Sequence, residues 1–326
     1  MTATSPTHPD AHHMNAAAWL TWAIPGVVWG TSFFFIAECL DAFPAPLITP
    51  LRVLLGFATL ALVPKARRTR IERADLPRVV LLGVIWMAVP LSLFPFAEQH
   101  VSSSVTGMLN GATPIFVTVV AAAWAKSRPH RMQVIGLALG LGGVVLIALP
   151  AGSGDNSWGG IALIFLALVF YGFALNVAVP LQRRYGALPV LWRTQGVAFV
   201  LTAPWGLATV SEARFEWSAT MAMVGLGVLG TALAYVLMAD NAGRLGSSRA
   251  SASVYLIPVV SLALGAVVRS EQVAAWSVVG CGVALVGAWL AGRQPRPVAA
   301  APASEVGLDP ARSPDVAATP GGANAP

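Results

Sequence analysis

Ten apolar stretches of about 20 residues, separated by short polar segments, occupy most of this chain. About 20 apolar residues are what an α-helix needs to cross the hydrocarbon core of a bilayer. A transmembrane β-barrel is excluded because the stretches are continuously apolar rather than alternating. The pattern predicts an all-α integral membrane protein with ten transmembrane helices, at residues 17–37, 45–64, 79–97, 103–125, 132–150, 158–179, 188–208, 217–238, 250–268 and 273–292.

Composition agrees with lipid as the main solvent. Of the 326 residues, 56% are hydrophobic and 10% are charged, and the mean hydropathy is +0.70. Soluble domains carry about 25% charged residues. The terminal segments are polar or rich in Ala and Pro, so residues 1–16 and 294–326 are predicted to be disordered tails.

The distribution of Lys and Arg predicts the orientation. Sixteen of the twenty lie after even-numbered stretches or in the C-terminal tail. Arg214 and Arg269 lie on the opposite side, and Arg52 and Arg193 lie inside predicted spans. Cytoplasmic loops are enriched in Lys and Arg, so both termini are predicted to be cytoplasmic. Because the net charge of +6 is concentrated in these loops, it indicates membrane topology and no nucleic-acid partner.

The chain also carries an internal repeat. A single offset aligns four pairs of residues and places the third to fifth stretches on the eighth to tenth, and slightly smaller offsets place Gly30 on Gly172 and Arg52 on Arg193. An odd number of spans per repeat inverts the second copy, which is an architecture used for alternating access. We therefore predict two inverted five-helix repeats, residues 17–150 and 151–293. The four pairs are Gly83 with Gly227, Pro114 with Pro258, Gly136 with Gly280, and Gly143 with Gly287.

Several segments carry a family resemblance over about residues 17–292. They are WGTSFF at Trp29–Phe34, TPLR at Thr49–Arg52, FAEQHVSSSVTGMLNGATPIF at Phe96–Phe116, ADNAGRLGSSRASASVYLIPVV at Ala239–Val260 and SEQVAAWSVVGCGVALVG at Ser270–Gly287. In order, spacing and duplication, the chain resembles the EamA-type family of the drug/metabolite transporter superfamily.

The resemblance implies a ten-helix bundle that exports small metabolites, amino acids or toxic compounds. It also implies a central cavity lined mainly by the first, third, fourth, sixth, eighth and ninth spans, with the fifth and tenth at the periphery. One departure stands out. The family often has an acidic residue after both the fourth and the ninth spans, and here Glu271 fills the second place while Lys126 and Ser127 occupy the first.

Charged residues in or near the spans are candidates for gating, because ionisable groups in a membrane are costly and usually functional. Two repeat-related ion pairs are predicted, Arg52 with Glu98 and Arg193 with Asp240, with Glu38 as a rival partner for Arg52. The alternative is that each Arg extends to its nearer interface or locks two helices together. Coupling to a proton or counter-ion through Glu98 or Asp240 is left open.

Polar and aromatic residues within the spans are candidates for substrate contact. Asn110 lies in mid-span and either binds substrate or joins helices through a hydrogen bond. Pro114 and Pro258 are predicted to kink the fourth and ninth helices. Four aromatic residues could line the cavity, although helix packing or an interface belt would also explain them, and Trp86 and Trp276 look like packing residues. The four are Trp29, Tyr171, Tyr235 and Tyr255.

These features favour a secondary transporter of small organic molecules in a bacterial plasma membrane. A nucleotide-sugar or sugar-phosphate exchanger of the same superfamily is the closest alternative. An enzyme is disfavoured because no span carries a paired-acid or Ser-His constellation, and a channel would need rings of polar residues. No metal-ligand spacing, Walker lysine motif or cofactor signature is present, and the oligomeric state is not indicated.

Overall fold

The computed structural model describes residues 16–125, 130–152, 158–245 and 250–291. The two predicted disordered tails lie outside these ranges, apart from Ala16. Lys126, Ser127 and Arg249 also lie outside them.

Helices account for nearly all of the described chain, and no strand occurs in it, which confirms the all-helical class. Each of the ten predicted stretches coincides with one long helix. A short helix at Pro64–Arg68 follows the second, and a 3-10 turn at Val210–Glu212 follows the seventh. The long helices are α1 Ala16–Leu40, α2 Ala45–Ala61, α3 Arg73–Glu98, α4 Ser103–Trp124, α5 Arg131–Ala151, α6 Trp158–Tyr185, α7 Ala187–Ala208, α8 Trp217–Arg244, α9 Ala252–Val267 and α10 Ala275–Ala291.

Six of these helices (α1, α3, α4, α5, α6 and α8) are long and apolar enough to cross a membrane, α2, α9 and α10 are shorter apolar helices, and α7 belongs to neither group. The outside of the bundle is apolar, with large side chains such as Trp124, Leu149 and Val200 more than half exposed. Soluble proteins rarely expose contiguous apolar surface of this kind. The described structure therefore fits a lipid environment, and the count of ten crossings stays a prediction.

Irregular helical segments recur at repeat-related places. α3 contains a π-helical stretch at Gly83–Ala88, and α8 contains another at Gly225–Leu233. The first stretch includes Gly83, and the second includes its aligned partner Gly227. α4 is interrupted after Asn110, just before Pro114, and α9 begins as a 3-10 turn that ends just before Pro258. Both prolines thus lie in the first turn of a helical segment, where no intrahelical bond is lost. The two-repeat architecture fits this arrangement.

Small residues join the repeats at two helix contacts. At the first, a Cβ atom on Gly111 of α4 would lie 2.3 Å from Pro258 of α9, and Gly107 meets Ser261 in the same way. At the second, a Cβ on Gly143 of α5 would lie 2.3 Å from the backbone nitrogen of Ala284 of α10. At Gly107 and Gly111 a Cβ would meet side-chain atoms of α9, whereas at Gly143 the two backbones themselves approach too closely for a side chain. α5 and α10 pack on each other, away from the cavity described next.

Candidate transport cavity and its two ends

A cavity of about 1040 Å³ lies between the two repeats. Four of the five predicted contact residues line it, together with side chains from α2 and α7, which the resemblance did not place there. Tyr255 does not line the cavity and packs instead against the neighbouring apolar core. The four lining residues are Trp29, Asn110, Tyr171 and Tyr235.

Aromatic rings form much of the cavity wall. Trp29 and Tyr235 meet edge to face with ring centroids 5.1 Å apart, and Trp86 meets Tyr235 at 5.9 Å. The indole nitrogen of Trp29 donates to the backbone oxygen of Gly230 in the π-helical stretch of α8, at 3.0 Å. Tyr171 from the second repeat lies 6.0 Å from Phe94 of the first. Trp86, read from the sequence as a packing residue, is both buried and part of the cavity lining.

Asn110 lies at the interruption of α4. The hydroxyl of Thr113 donates to the Asn110 backbone oxygen at 2.6 Å and contacts its side-chain oxygen at 3.4 Å. Both residues line the cavity. Thr113 therefore satisfies the Asn110 backbone oxygen where α4 is interrupted, Asn110 faces the space between the repeats, and its role in binding substrate stays a prediction.

Arg52 projects from α2 into the cavity and is only 7% exposed. Its Nε donates to the hydroxyl of Thr231 at 2.8 Å. The predicted ion pair with Glu98 is not formed in this conformation: Glu98 lines a different pocket, and both of its carboxylate oxygens are buried without a hydrogen-bond partner among the described residues.

The cavity reaches the protein surface at one end, which we call the basic end and define by the exposed residues Lys65, Arg183 and Arg244. Asp240 lies there and pairs with Arg244 at 3.0 Å. The predicted pair between Arg193 and Asp240 is therefore not formed either.

Arg193 is held by the backbone outside the cavity lining. It donates to the oxygens of Thr69 at 2.7 Å, Pro189 at 3.0 Å and Ala66 at 3.4 Å, and lies over the ring of Trp192.

The opposite end, which we call the acidic end, is defined by Glu38, Asp41, Glu98 and Glu271. It holds a separate crevice of about 540 Å³. Arg269, between α9 and α10, pairs there with Glu38 and with Asp41, the latter at 3.1 Å. Burial lowers the pKa of the Arg269 guanidinium, but its hydrogen bonds to Asp41 and Glu38 outweigh burial, and the net direction is upward. Glu38 is thus the partner of Arg269 and not of Arg52.

Glu271 closes the same end from the α9–α10 loop. Its Oε1 accepts from the backbone nitrogen and hydroxyl of Ser103 at 3.0 and 2.7 Å. Its Oε2 accepts from the same two groups of Ser104 at 2.8 and 2.5 Å. A carboxylate at a helix N-terminus satisfies free backbone N–H groups and interacts favourably with the helix dipole. Glu271 therefore ties the second repeat to the start of α4.

Sequence reasoning missed the contacts of Thr231, Arg269 and Glu271. Arg269 carried a weak signal, because it is one of only two basic residues in the loops predicted to face away from the cytoplasm. Glu271 carried another, because it occupies a position that is often acidic in the family it resembles. Nothing in the linear sequence pointed to the partners of either residue. Thr231 carried no signal at all. The resulting geometry is a cavity that reaches the surface at the basic end and is sealed from the acidic end by ion pairs and hydrogen bonds.

Comparison with known proteins decides the family. A model described as the EamA-like transporter family matches the chain twice, at residues 17–149 and 158–293, one match for each repeat. The chain belongs to the EamA-like transporter family. The match covers nearly all of the described helices, so the protein is a membrane transporter of the EamA-like family.

Named relatives of this EamA-like chain are also transporters. An uncharacterized transporter of Archaeoglobus fulgidus is 25% identical, with 85% of this chain and 99% of the relative aligned. A probable terminal-alkyne amino-acid exporter of Streptantibioticus cattleyicolor is 27% identical over 86% of this chain and 95% of the relative. The uncharacterized inner membrane transporter YedA of Escherichia coli is 23% identical over 73% and 78%.

A solved crystal structure shares the fold of the EamA-like chain, with a TM-score of 0.55 and 20% identity over 85% of this chain and 97% of the other. At this identity the likeness shows the fold alone.

Proposed function

We propose that this protein is a secondary transporter that exports small organic molecules, amino acids among them, from the cytoplasm across a bacterial plasma membrane. The observation that carries the proposal is the cavity of about 1040 Å³ between the repeats, which reaches the surface at one end. A cavity of this size holds a metabolite or drug-sized molecule. In inverted-repeat transporters the substrate site lies near the midplane between the repeats.

The proposed topology has ten membrane-crossing helices with both termini in the cytoplasm. It is supported by the basic residues at the mouth of the cavity, Lys65, Arg183 and Arg244, because cytoplasmic loops are enriched in such residues. In this orientation the described conformation faces the cytoplasm, as an exporter must when it loads its substrate. The seal at the acidic end, built on Arg269 and Glu271, would then break in the outward-facing state.

The lining of the cavity favours an amphipathic substrate. Trp29, Tyr171 and Tyr235 each offer an apolar ring and one polar group, which suits a molecule with an apolar body. A sugar phosphate or nucleotide sugar would bring at least two negative charges, and Arg52 is the one cation of the lining that the described structure buries. The relative named as a probable terminal-alkyne amino-acid exporter is consistent with an amino-acid-like substrate.

Uptake into inside-out membrane vesicles tests the proposal. Vesicles with and without the protein are given a panel of amino acids, organic acids, sugar phosphates and drug-like cations, with and without a pH gradient, and the accumulated compounds are identified by mass spectrometry. We expect at least one amino-acid-like compound to accumulate above the empty-vesicle level. If no compound accumulates, the proposed export function is rejected.

A pair of variants on α6 tests the cavity itself. Leu175 lines the cavity, whereas Phe173 is 45% exposed on the outside of the same helix. Leu175→Trp is expected to abolish uptake by filling the cavity, and Phe173→Trp is expected to leave it unchanged. Equal uptake by both variants at equal protein levels would contradict transport through this cavity.

A further inference from the structure

Arg52 is a buried cation in the lining of the cavity. It makes no ion pair with the acidic residues of the four described ranges, and the cation–π contacts found there belong to Arg184 and Arg193. Burying a charge away from water is costly unless a charge or strong hydrogen bonds compensate for it. A guanidinium at 7% exposure that lines a cavity is therefore suited to an anionic ligand.

The orientation of the Arg52 side chain is set from the other repeat. Thr231 lies in the π-helical stretch of α8, and its hydroxyl donates to the backbone oxygen of Leu226 at 2.9 Å. The lone pairs of that hydroxyl are thereby left for Arg52 Nε, which donates at 2.8 Å. Gln195 of α7 holds the same residue in place by donating to the Thr231 backbone oxygen at 2.7 Å.

This network uses one edge of the guanidinium only. Within the described residues, neither terminal nitrogen of Arg52 makes a hydrogen bond. A guanidinium presents its N–H groups in a rigid planar fork that matches the two oxygens of a carboxylate. Arg52 is thus preorganised as a bidentate donor whose acceptor has to come from outside the described chain.

The repeat-related Arg193 shows that this is a specific property of the first repeat. Arg193 is half-buried, and its terminal nitrogens donate hydrogen bonds to the backbone oxygens of Ala66, Thr69 and Pro189. It does not line the cavity. Of these two repeat-related arginines, Arg52 has N–H groups without a described acceptor at the cavity, and Arg193 does not.

We propose that Arg52 binds the carboxylate of the transported molecule, and that the apolar body of that molecule packs against Trp29 and Tyr235. This inference rests on the proposed function and narrows its substrate class to amphipathic monocarboxylates, including zwitterionic amino acids with apolar side chains. A single buried guanidinium matches a single carboxylate. The other cations of the cavity, such as Lys65 and Arg183, are exposed at the basic end, where water and salt screen them.

The test compares each carboxylate with its own carboxamide. Inside-out vesicles are given apolar amino acids such as L-phenylalanine, L-leucine and L-propargylglycine, and the matching carboxamides, and initial uptake rates are measured by mass spectrometry. We define the carboxylate preference as the ratio of the two rates. Arg52→Gln is expected to lower this preference at least about tenfold, the effect of losing charge-assisted hydrogen bonds worth about 1.4 kcal/mol. Arg193→Gln, the matched control, is expected to keep it.

The outcomes separate this inference from the proposed function. An unchanged preference in Arg52→Gln overturns the assignment of Arg52. If the wild type transports other compounds of the wider panel but no carboxylate, the substrate class is rejected and the transporter stands. If it transports nothing, the proposed function fails as well.

A second variant, Arg52→Lys, keeps the test decisive if Arg52→Gln does not fold. If Arg52→Gln transports neither member of a pair, Arg52→Lys decides, because lysine keeps the charge but lacks the planar fork. A preference lowered by at least about threefold in Arg52→Lys supports bidentate binding, and an unchanged preference overturns it.

Discussion

Neutralising Glu271 should open the acidic end of the bundle. Its carboxylate accepts four hydrogen bonds, from the backbone nitrogens and hydroxyls of Ser103 and Ser104. In Glu271→Gln, the amide nitrogen replaces one accepting oxygen and cannot accept from a backbone N–H group. One N–H at the start of α4 then loses its acceptor, and the interaction of a negative charge with the helix N-terminus is lost.

The cost can be estimated from these two losses. A buried donor left without an acceptor costs about 1–3 kcal/mol, and a charge at a helix N-terminus contributes about 0.3–1 kcal/mol. We take the free energy lost by the closed acidic end as about 2 kcal/mol, because Glu271 is partly exposed and the amide oxygen still accepts from one serine. Since 1.4 kcal/mol is a factor of ten, the ratio of open to closed acidic ends should rise about thirtyfold.

Alkylation of Cys39 measures this ratio. Cys39 is fully buried on α1, next to Glu38. In protein reconstituted into lipid vesicles with Cys281→Ser, the rate of maleimide labelling should rise about thirtyfold in Glu271→Gln, if labelling follows the open population. Glu212→Gln is the control, because Glu212 lines the same crevice but is exposed.

Two results bear on this reasoning. A labelling rate within about threefold of wild type, equivalent to under about 0.7 kcal/mol, would refute the role given to Glu271. An equal rise in Glu212→Gln would show that loss of negative charge in the crevice, and not loss of the bonds to α4, opens the acidic end.

Three further predictions concern stability, each measured as the melting temperature of the purified protein in detergent. Gly143→Val should destabilise the protein strongly, because a Cβ at this position meets the backbone of α10. Gly142→Val should not, because a Cβ at Gly142 meets nothing within 4 Å. Similar melting temperatures for the two variants would contradict the described contact between α5 and α10. Glu98→Met should raise the melting temperature, because an apolar side chain of similar size replaces two buried oxygens that have no hydrogen-bond partner among the described residues, and a fall would indicate a stabilising partner outside the described residues. Ser270→Gly should stabilise by about 1 kcal/mol, since Ser270 has a φ of 55° that glycine adopts freely, and Ser270→Ala should not.

The sequence by itself determined the helical class, the placement of the helices, lipid as the main solvent and the duplication. All of these depend on local composition or on spacing along the chain: an apolar stretch of sufficient length favours a helix in lipid whatever surrounds it. The cavity candidates Trp29, Asn110, Tyr171 and Tyr235 were found for a related reason, because polar or amphipathic groups within an apolar stretch tend to face the interior of a bundle.

Only the tertiary structure decided which charges meet. Arg52 bonds to Thr231, 179 residues away, and Glu271 bonds to Ser103, 168 residues away. Sequence symmetry suggested Arg52 with Glu98 and Arg193 with Asp240, but hydrogen bonds require atoms to lie within about 3 Å at suitable angles, and that depends on how ten helices pack. Thr231 meets Arg52 from within the π-helical stretch of α8, and Glu271 meets the start of α4 from the α9–α10 loop, so packing geometry set the partners that helix order alone leaves open.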